Sequence, residues 1–133
     1  MGRRLILDTN ILISYERDAL DRSLFDQDEL AIAAVTVAEF RAGIELTDTV
    51  KRAAARSRAL AEILTYMEVL DYTEATAVHH SRLIAHTIAG GRKRGALDLM
   101  VAAHAAQTGR TVVSRDAKVR FGDLPGVLAT GVE

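Results

Sequence analysis

The chain has 133 residues, 49% of them hydrophobic and 26% charged, which is the size and mix of one ordinary globular domain and excludes a disordered or fibrous chain. Cysteine is absent, which excludes a disulfide scaffold, thiol catalysis and a Cys-based zinc site, and fits a reducing compartment. A net charge of −1 argues against a strongly electrostatic, non-specific nucleic-acid binder.

In chain order, Arg4–Leu7 is a short apolar run ending in Asp8 and reads as a strand. Thr9 and Asn10 are placed to cap a short helix over Ile11–Arg17. Leu30–Ala34 is a second run of strand length, followed by Thr36-Val37-Ala38-Glu39, whose spacing is that of a capping box. That predicts a helix from Val37 to about Leu46. Val50–Met67 carries apolar residues at helical spacing, and Glu68–Leu70 is a brief third strand. Thr73 opens another helix, which Gly90-Gly91 closes. After the basic loop Arg92-Lys93-Arg94-Gly95, an alanine-rich helix spans Leu97–Gln107 and ends at Gly109. Thr111–Ser114 and Val127–Ala129 are the remaining strands.

Strands alternating with helices place the chain in the α/β class, with a central, mainly parallel sheet flanked by helices in three layers. No internal repeat or linker-like stretch divides it. The most apolar stretch, Leu30–Ala38, is too short to span a bilayer, and Met1–Arg17 lacks the pattern of a secretory leader. The expectation is a cytoplasmic protein with no membrane partner.

The informative feature is where the acids fall. Asp8 follows the first strand, and Asp116 follows Thr111–Ser114 by two residues. Glu39 and Asp98 each lie in the first turn of a predicted helix that follows a strand. In an open parallel sheet, strand carboxyl ends and the amino ends of following helices share one edge, where ligands bind. Each acid alone has a local explanation: Asp8 as a turn residue, Glu39 as the capping-box acid, Asp98 as an anion at a helix amino end, Asp116 as a loop acid. Together on one edge they form a cluster that needs a counter-charge, because crowded like charges force protonation or splay apart. A hard divalent cation with oxygen ligands, Mg²⁺ or Mn²⁺, supplies it. Such an ion activates and orients water and neutralises charge on a phosphodiester under in-line attack.

Four segments carry a resemblance to a known family: Leu5-Ile6-Leu7-Asp8-Thr9-Asn10-Ile11-Leu12-Ile13, Val35-Thr36-Val37-Ala38-Glu39-Phe40-Arg41-Ala42-Gly43, Asp98-Leu99-Met100-Val101-Ala102-Ala103-His104-Ala105, and Val112-Val113-Ser114-Arg115-Asp116 with Phe121 following. In order and spacing the chain resembles a PIN domain, specifically a VapC-type ribonuclease toxin of bacterial toxin–antitoxin (VapBC) pairs. The resemblance implies a single PIN domain over residues 1–133 that cleaves RNA with Mg²⁺ or Mn²⁺. It implies Asp8 and Asp98 as the most direct metal ligands, with Glu39 and Asp116 completing the set. Asn10 or Thr9 then hydrogen-bonds the first carboxylate, and Ser114 is the hydroxyl that helps place the metal or the attacking water. A small VapB-like antitoxin, inserting a basic side chain among the acids, and a homodimer built on the long helices are the implied partners.

Other features have plainer readings. His79, His80, His86 and His104 show no HExxH spacing and read as packing or surface residues. Arg52, Arg56 and Arg58 read as surface charge. Arg92-Lys93-Arg94, beside Asp98, reads as a contact to RNA phosphates. Among rival functions, an aspartyl phosphotransferase wants a second acid two residues after Asp8, where Asn10 stands. A receiver domain wants paired acids at the first strand and a lysine that Lys118 does not match. A non-catalytic PIN-like RNA- or protein-binding module is the alternative, against which the retention of all four acids speaks.

Overall fold

The computed structural model describes residues 2–116 and 120–132, so Lys118 lies outside the described residues. Five strands, β1 (Arg4–Leu7), β2 (Glu29–Ala33), β3 (Glu68–Leu70), β4 (Thr111–Val113) and β5 (Leu128–Thr130), form one sheet in the order β3-β2-β1-β4-β5. Every neighbouring pair is parallel, with Leu5 in register with both Leu30 and Thr111. The helices are α1 (Thr9–Glu16), α2 (Ala34–Glu45), α3 (Val50–Ile63), α4 (Glu74–Ala89) and α5 (Ala96–Thr108).

Strands buried on both faces read as continuous apolar runs, and β1 and β2 do so. Side chains alternate across the sheet. Ile6, Ala31 and Val112 pack on one face with Leu83 of α4 and Leu99, Val101 and Ala102 of α5. Leu5, Leu7 and Ile32 pack on the other with Ile11 and Leu12 of α1, Phe40 and Ile44 of α2, and Leu60 and Ile63 of α3. The result is the expected three-layer α/β fold. Among the described residues no helix is long and apolar enough to cross a membrane.

Three details depart from expectation. First, α2 begins at Ala34, directly off β2, with Ala33 as a cap that makes no side-chain hydrogen bond. Thr36 is therefore inside the helix and fully buried, and the Thr36–Glu39 capping box does not form. The strand leads into the helix without an intervening loop, so no exposed amino terminus is left for a box to close. Second, α1 is capped by Asp8, whose carboxylate accepts from the Thr9 backbone N–H, rather than by Thr9 or Asn10. Third, helices do not strictly alternate with strands: α2 leads to α3, and α4 to α5.

Asp98 therefore stands on a helix that follows a helix. Thr76 Oγ1 near the start of α4 donates to Gln107 Oε1 near the end of α5 at 2.6 Å, so the two helices run antiparallel. Because α5 feeds β4 from below, its amino end rises to the carboxyl edge of the sheet. Gly109, at φ +66, makes the left-handed turn that ends α5.

Arg56 is not plain surface charge. Its Nε pairs with Glu16 Oε1 at 3.1 Å and its guanidinium lies 4.8 Å from the Phe40 ring centre, tying α3 to α1 and α2. Arg52 does stay exposed, paired with Asp48.

Candidate active site

The strand order reverses between β1 and β4: the chain runs outward from β1 through β2 to β3, then returns to the other side of β1. A crevice opens at such a switch point outside the strand carboxyl ends. Asp8 leaves β1 at this crevice, and Ser114 and Asp116 leave β4 beside it. The Asp8 backbone N–H donates to the Val113 carbonyl at 3.0 Å, fixing the two strand ends together.

Asp8 is buried, with 7% of its surface exposed, and a hydrogen-bond network orients both of its oxygens. Oδ1 accepts from the Thr9 N–H at 2.9 Å; Oδ2 accepts from Ser114 Oγ at 2.9 Å and, at the limiting length of 3.5 Å, from Asn10 Nδ2. Ser114 Oγ in turn accepts from Asn10 Nδ2 at 3.3 Å and from the Asp116 N–H at 3.1 Å. One donated and two accepted bonds complete the capacity of that hydroxyl. Asn10 Oδ1 accepts from the Arg115 N–H at 3.1 Å, so Asn10 clamps the loop after β4 to the start of α1. Asn10 and Ser114 are thus both joined to Asp8.

Glu39 lies half-buried in the second turn of α2, and its Oε1 accepts from Thr9 Oγ1 at 2.7 Å. With no capping box present, that bond is its local partner. Thr9 serves two acids at once: its N–H holds Asp8 and its hydroxyl holds Glu39.

Asp98 is half-buried in the first turn of α5. Its carboxyl is pushed above the usual carboxylate range, first by burial and then by the charges of Asp8, Glu39 and Asp116, with Arg94 opposing them. Asp8, Glu39 and Asp116 are therefore within electrostatic reach of Asp98. Gly95, the residue that caps α5, has a role the sequence reading missed. A Cβ there would meet Asp98 Oδ2 at 2.8 Å, so only glycine leaves room for this carboxylate as it lies. A glycine three residues before the acid was the available signal.

All-oxygen donors, with the Asp98 carboxyl raised by burial and then by the neighbouring acids, fit a hard divalent cation by chemistry. Among the described residues no three acidic or histidine side chains are already gathered within ligating reach of one point. The histidines take up other work: His80 and His104 are buried, with Tyr72 Oη hydrogen-bonded to His80 Nδ1 at 2.7 Å.

Sheet order and acid placement fit the class of PIN domains, and the PIN domain family model matches residues 5–125. The chain belongs to the PIN-domain family and, within it, to the VapC ribonucleases. It is 34% identical over 112 residues to ribonuclease VapC5 of Mycobacterium tuberculosis, covering 84% of this chain and 82% of the relative. It is 29% identical over 119 residues to the tRNA(fMet)-specific endonuclease VapC of Shigella flexneri, covering 86% and 88%. Among solved structures, the DNA-bound VapBC of Salmonella typhimurium matches with a TM-score of 0.78 at 27% identity, over 98% of each chain. The fold also matches that of VapBC2 from Rickettsia felis, bound to a promoter DNA fragment, with a TM-score of 0.86 at 20% identity over 98% and 99%. The fold and enzyme class anticipated from the four sequence segments are borne out.

Proposed function

We propose that residues 1–133 act as one PIN domain, a Mg²⁺- or Mn²⁺-dependent endoribonuclease that serves as the toxin of a VapBC pair in the cytoplasm. The observation that supports this reading is the hydrogen-bond network that orients the Asp8 and Glu39 carboxylates at the sheet switch point, with Asp98 in the first turn of α5. In it, Asp8, Glu39, Asp98 and Asp116 would hold the divalent ion, which would supply activation of water and neutralisation of phosphate charge. Asn10 and Ser114 keep the Asp8 carboxylate at a fixed angle, and Thr9 does the same for Glu39. Water adds to phosphorus, the bond to the 3′ oxygen breaks, and that oxygen leaves with a proton. The products carry 5′-phosphate and 3′-hydroxyl ends.

The acidic crevice also supports an inhibitory partner. A VapB-like antitoxin with a basic side chain would neutralise the cluster as a cation does. The named relatives and VapBC complexes support such a partner, and a homodimer on the long helices accompanies it. The test is cleavage of end-labelled single-stranded RNA with Mg²⁺, with Mn²⁺ and with chelator, for wild type and Asp98→Asn. Metal-dependent cleavage that Asp98→Asn abolishes is the expected result. Cleavage undiminished by chelator overturns the metal reading, and RNA binding without cleavage by wild type points to the non-catalytic module instead.

A further inference from the structure

The basic run Arg92-Lys93-Arg94 is not one patch. Arg92 is exposed and pairs with Asp123 at 3.4 Å, and Lys93 is exposed. Arg94 is half-buried, and its Nη1 donates to the backbone carbonyl of Arg120 at 3.0 Å. That bond anchors the α4–α5 loop to the segment leading into the 3₁₀ turn Phe121–Asp123. Arg94 directly precedes Gly95, the cap residue that makes room for Asp98. The guanidinium is thus held between the amino end of α5 and the segment before the 3₁₀ turn, on the residue next to the glycine that Asp98 Oδ2 lies against, and its charge acts on Asp98 against those of the other acids.

A guanidinium has five N–H donors in a rigid plane. Fixed and partly withdrawn from water, it stabilises charge that develops on a phosphate oxygen more strongly than an exposed, hydrated ammonium does. We propose that Arg94 is a catalytic residue of this ribonuclease, donating to a non-bridging oxygen of the scissile phosphate as negative charge builds there. The inference rests on the metal-dependent reading of the acid cluster. It has a second consequence of opposite sign, because the same positive charge repels a divalent ion approaching the acids. Arg94 therefore aids the reaction while weakening metal affinity in the absence of RNA.

The test uses the full chain as wild type, Arg94→Ala, Arg94→Lys and, as a remote exposed control, Arg52→Ala. Mn²⁺ affinity without RNA is measured by following free Mn²⁺ in its electron paramagnetic resonance spectrum. Separately, kcat and KM are measured on a single-stranded RNA at saturating Mn²⁺. Arg94→Ala should lower kcat by about 10²-fold, the usual effect of losing one preorganised donor to a developing anion. It should bind Mn²⁺ several-fold more tightly. Arg94→Lys should recover part of kcat and return Mn²⁺ affinity towards wild type, and Arg52→Ala should match wild type. An unchanged kcat, or weaker Mn²⁺ binding, in a variant that melts like wild type overturns the role. If Arg94→Ala does not fold, Arg94→Lys decides alone: a kcat equal to wild type overturns the proposal. Full cleavage by Asp98→Asn would instead sink the acid-site reading itself, so the two failures are distinguishable.

Discussion

Thr9 Oγ1 donates a 2.7 Å hydrogen bond to Glu39 Oε1 and ties the first turn of α1 to the second turn of α2. This bond joins Glu39 to the residue that also holds Asp8, in place of the capping box that its spacing predicts. Glu39→Gln keeps an oxygen able to accept from Thr9, so the melting temperature should stay within a few degrees of wild type. Cleavage should fall by about 10²-fold or more, because the charge offered to a cation is gone, while Thr9→Val, which only releases the orienting bond, should cost about 10-fold. Circular dichroism melts beside RNA cleavage rates check both. Wild-type rates for a folded Glu39→Gln would remove Glu39 from the metal-binding set.

Asp8→Asn and Asp98→Asn should abolish metal-dependent cleavage and leave the fold intact. Asn caps a helix as well as Asp does, so α1 keeps its start in the first variant. The raised Asp98 carboxyl means that its ionised form is disfavoured in the folded state, and the associated stability is lost as pH rises through that raised value. At neutral pH without metal, Asp98→Asn should therefore melt higher than wild type; added Mg²⁺ should raise the melting temperature of wild type more than that of the variant. Calorimetry with and without Mg²⁺ reads both effects. A variant that melts no higher than wild type in chelator would show that the crowding at Asp98 costs nothing.

Much of this was legible before the fold was. The buried strands β1 and β2 announced themselves as continuous apolar runs, and the helix start at Thr73 and the helix end at Gly109 fall where the sequence places them. Asp8 and Asp98 were legible as edge residues because strand ends and helix starts share one sheet edge, whereas Glu39 stands a turn further along α2 than its spacing predicts. What was hidden is what depends on tertiary packing. Nothing local distinguishes Thr36 as a cap from Thr36 as a buried helix residue when the strand runs straight into the helix. Likewise Arg56 looks like Arg52 in sequence, and only the approach of α1 and α2 turns it inward onto Glu16 and Phe40. Arg92 and Arg94 are neighbours in composition and opposites in position.

Arg92 and Lys93 remain exposed on the α4–α5 loop, the geometry of backbone contacts that add affinity without fixing sequence. Neutralising both should weaken RNA binding and flatten its log–log salt dependence by up to roughly 1.4, at about 0.7 per phosphate contact on a single strand. Arg92 already pairs with Asp123, so its share is the smaller one. The rate at saturating RNA should change little, because neither side chain is held against the acids. Fluorescence anisotropy at several salt concentrations measures the slopes. Equal slopes for wild type and the double variant would make the loop a solvated turn.

Acid should unfold this protein through its histidines before its carboxylates. His104 is 1% exposed, its Nδ1 has no hydrogen-bond partner among the described residues, and it meets the edge of Tyr72 at 6.1 Å between ring centres. Burial lowers its pKa from the usual histidine value; the charge of a protonated His80 lowers it further, and Asp71 opposes the shift. Burial lowers His80 as well, where the ring is held by Tyr72 Oη. Both rings are thus neutral in the folded state at pH 7. Their stabilising contribution is present above the unfolded value of about 6.5 and is lost as pH falls through the lower folded values. Each histidine that stays neutral in the fold while protonated in the unfolded chain removes about 1.4 kcal/mol of stability per pH unit over that window. His104→Leu keeps an apolar side chain in the site and removes one of the two protons, so its stability should fall less steeply between pH 6.5 and 5. Urea unfolding at pH 7.5, 6.0 and 5.0 for wild type and variant gives the slopes directly. Parallel slopes would mean that His104 protonates without cost, and that the burial of its ring is not what resists acid.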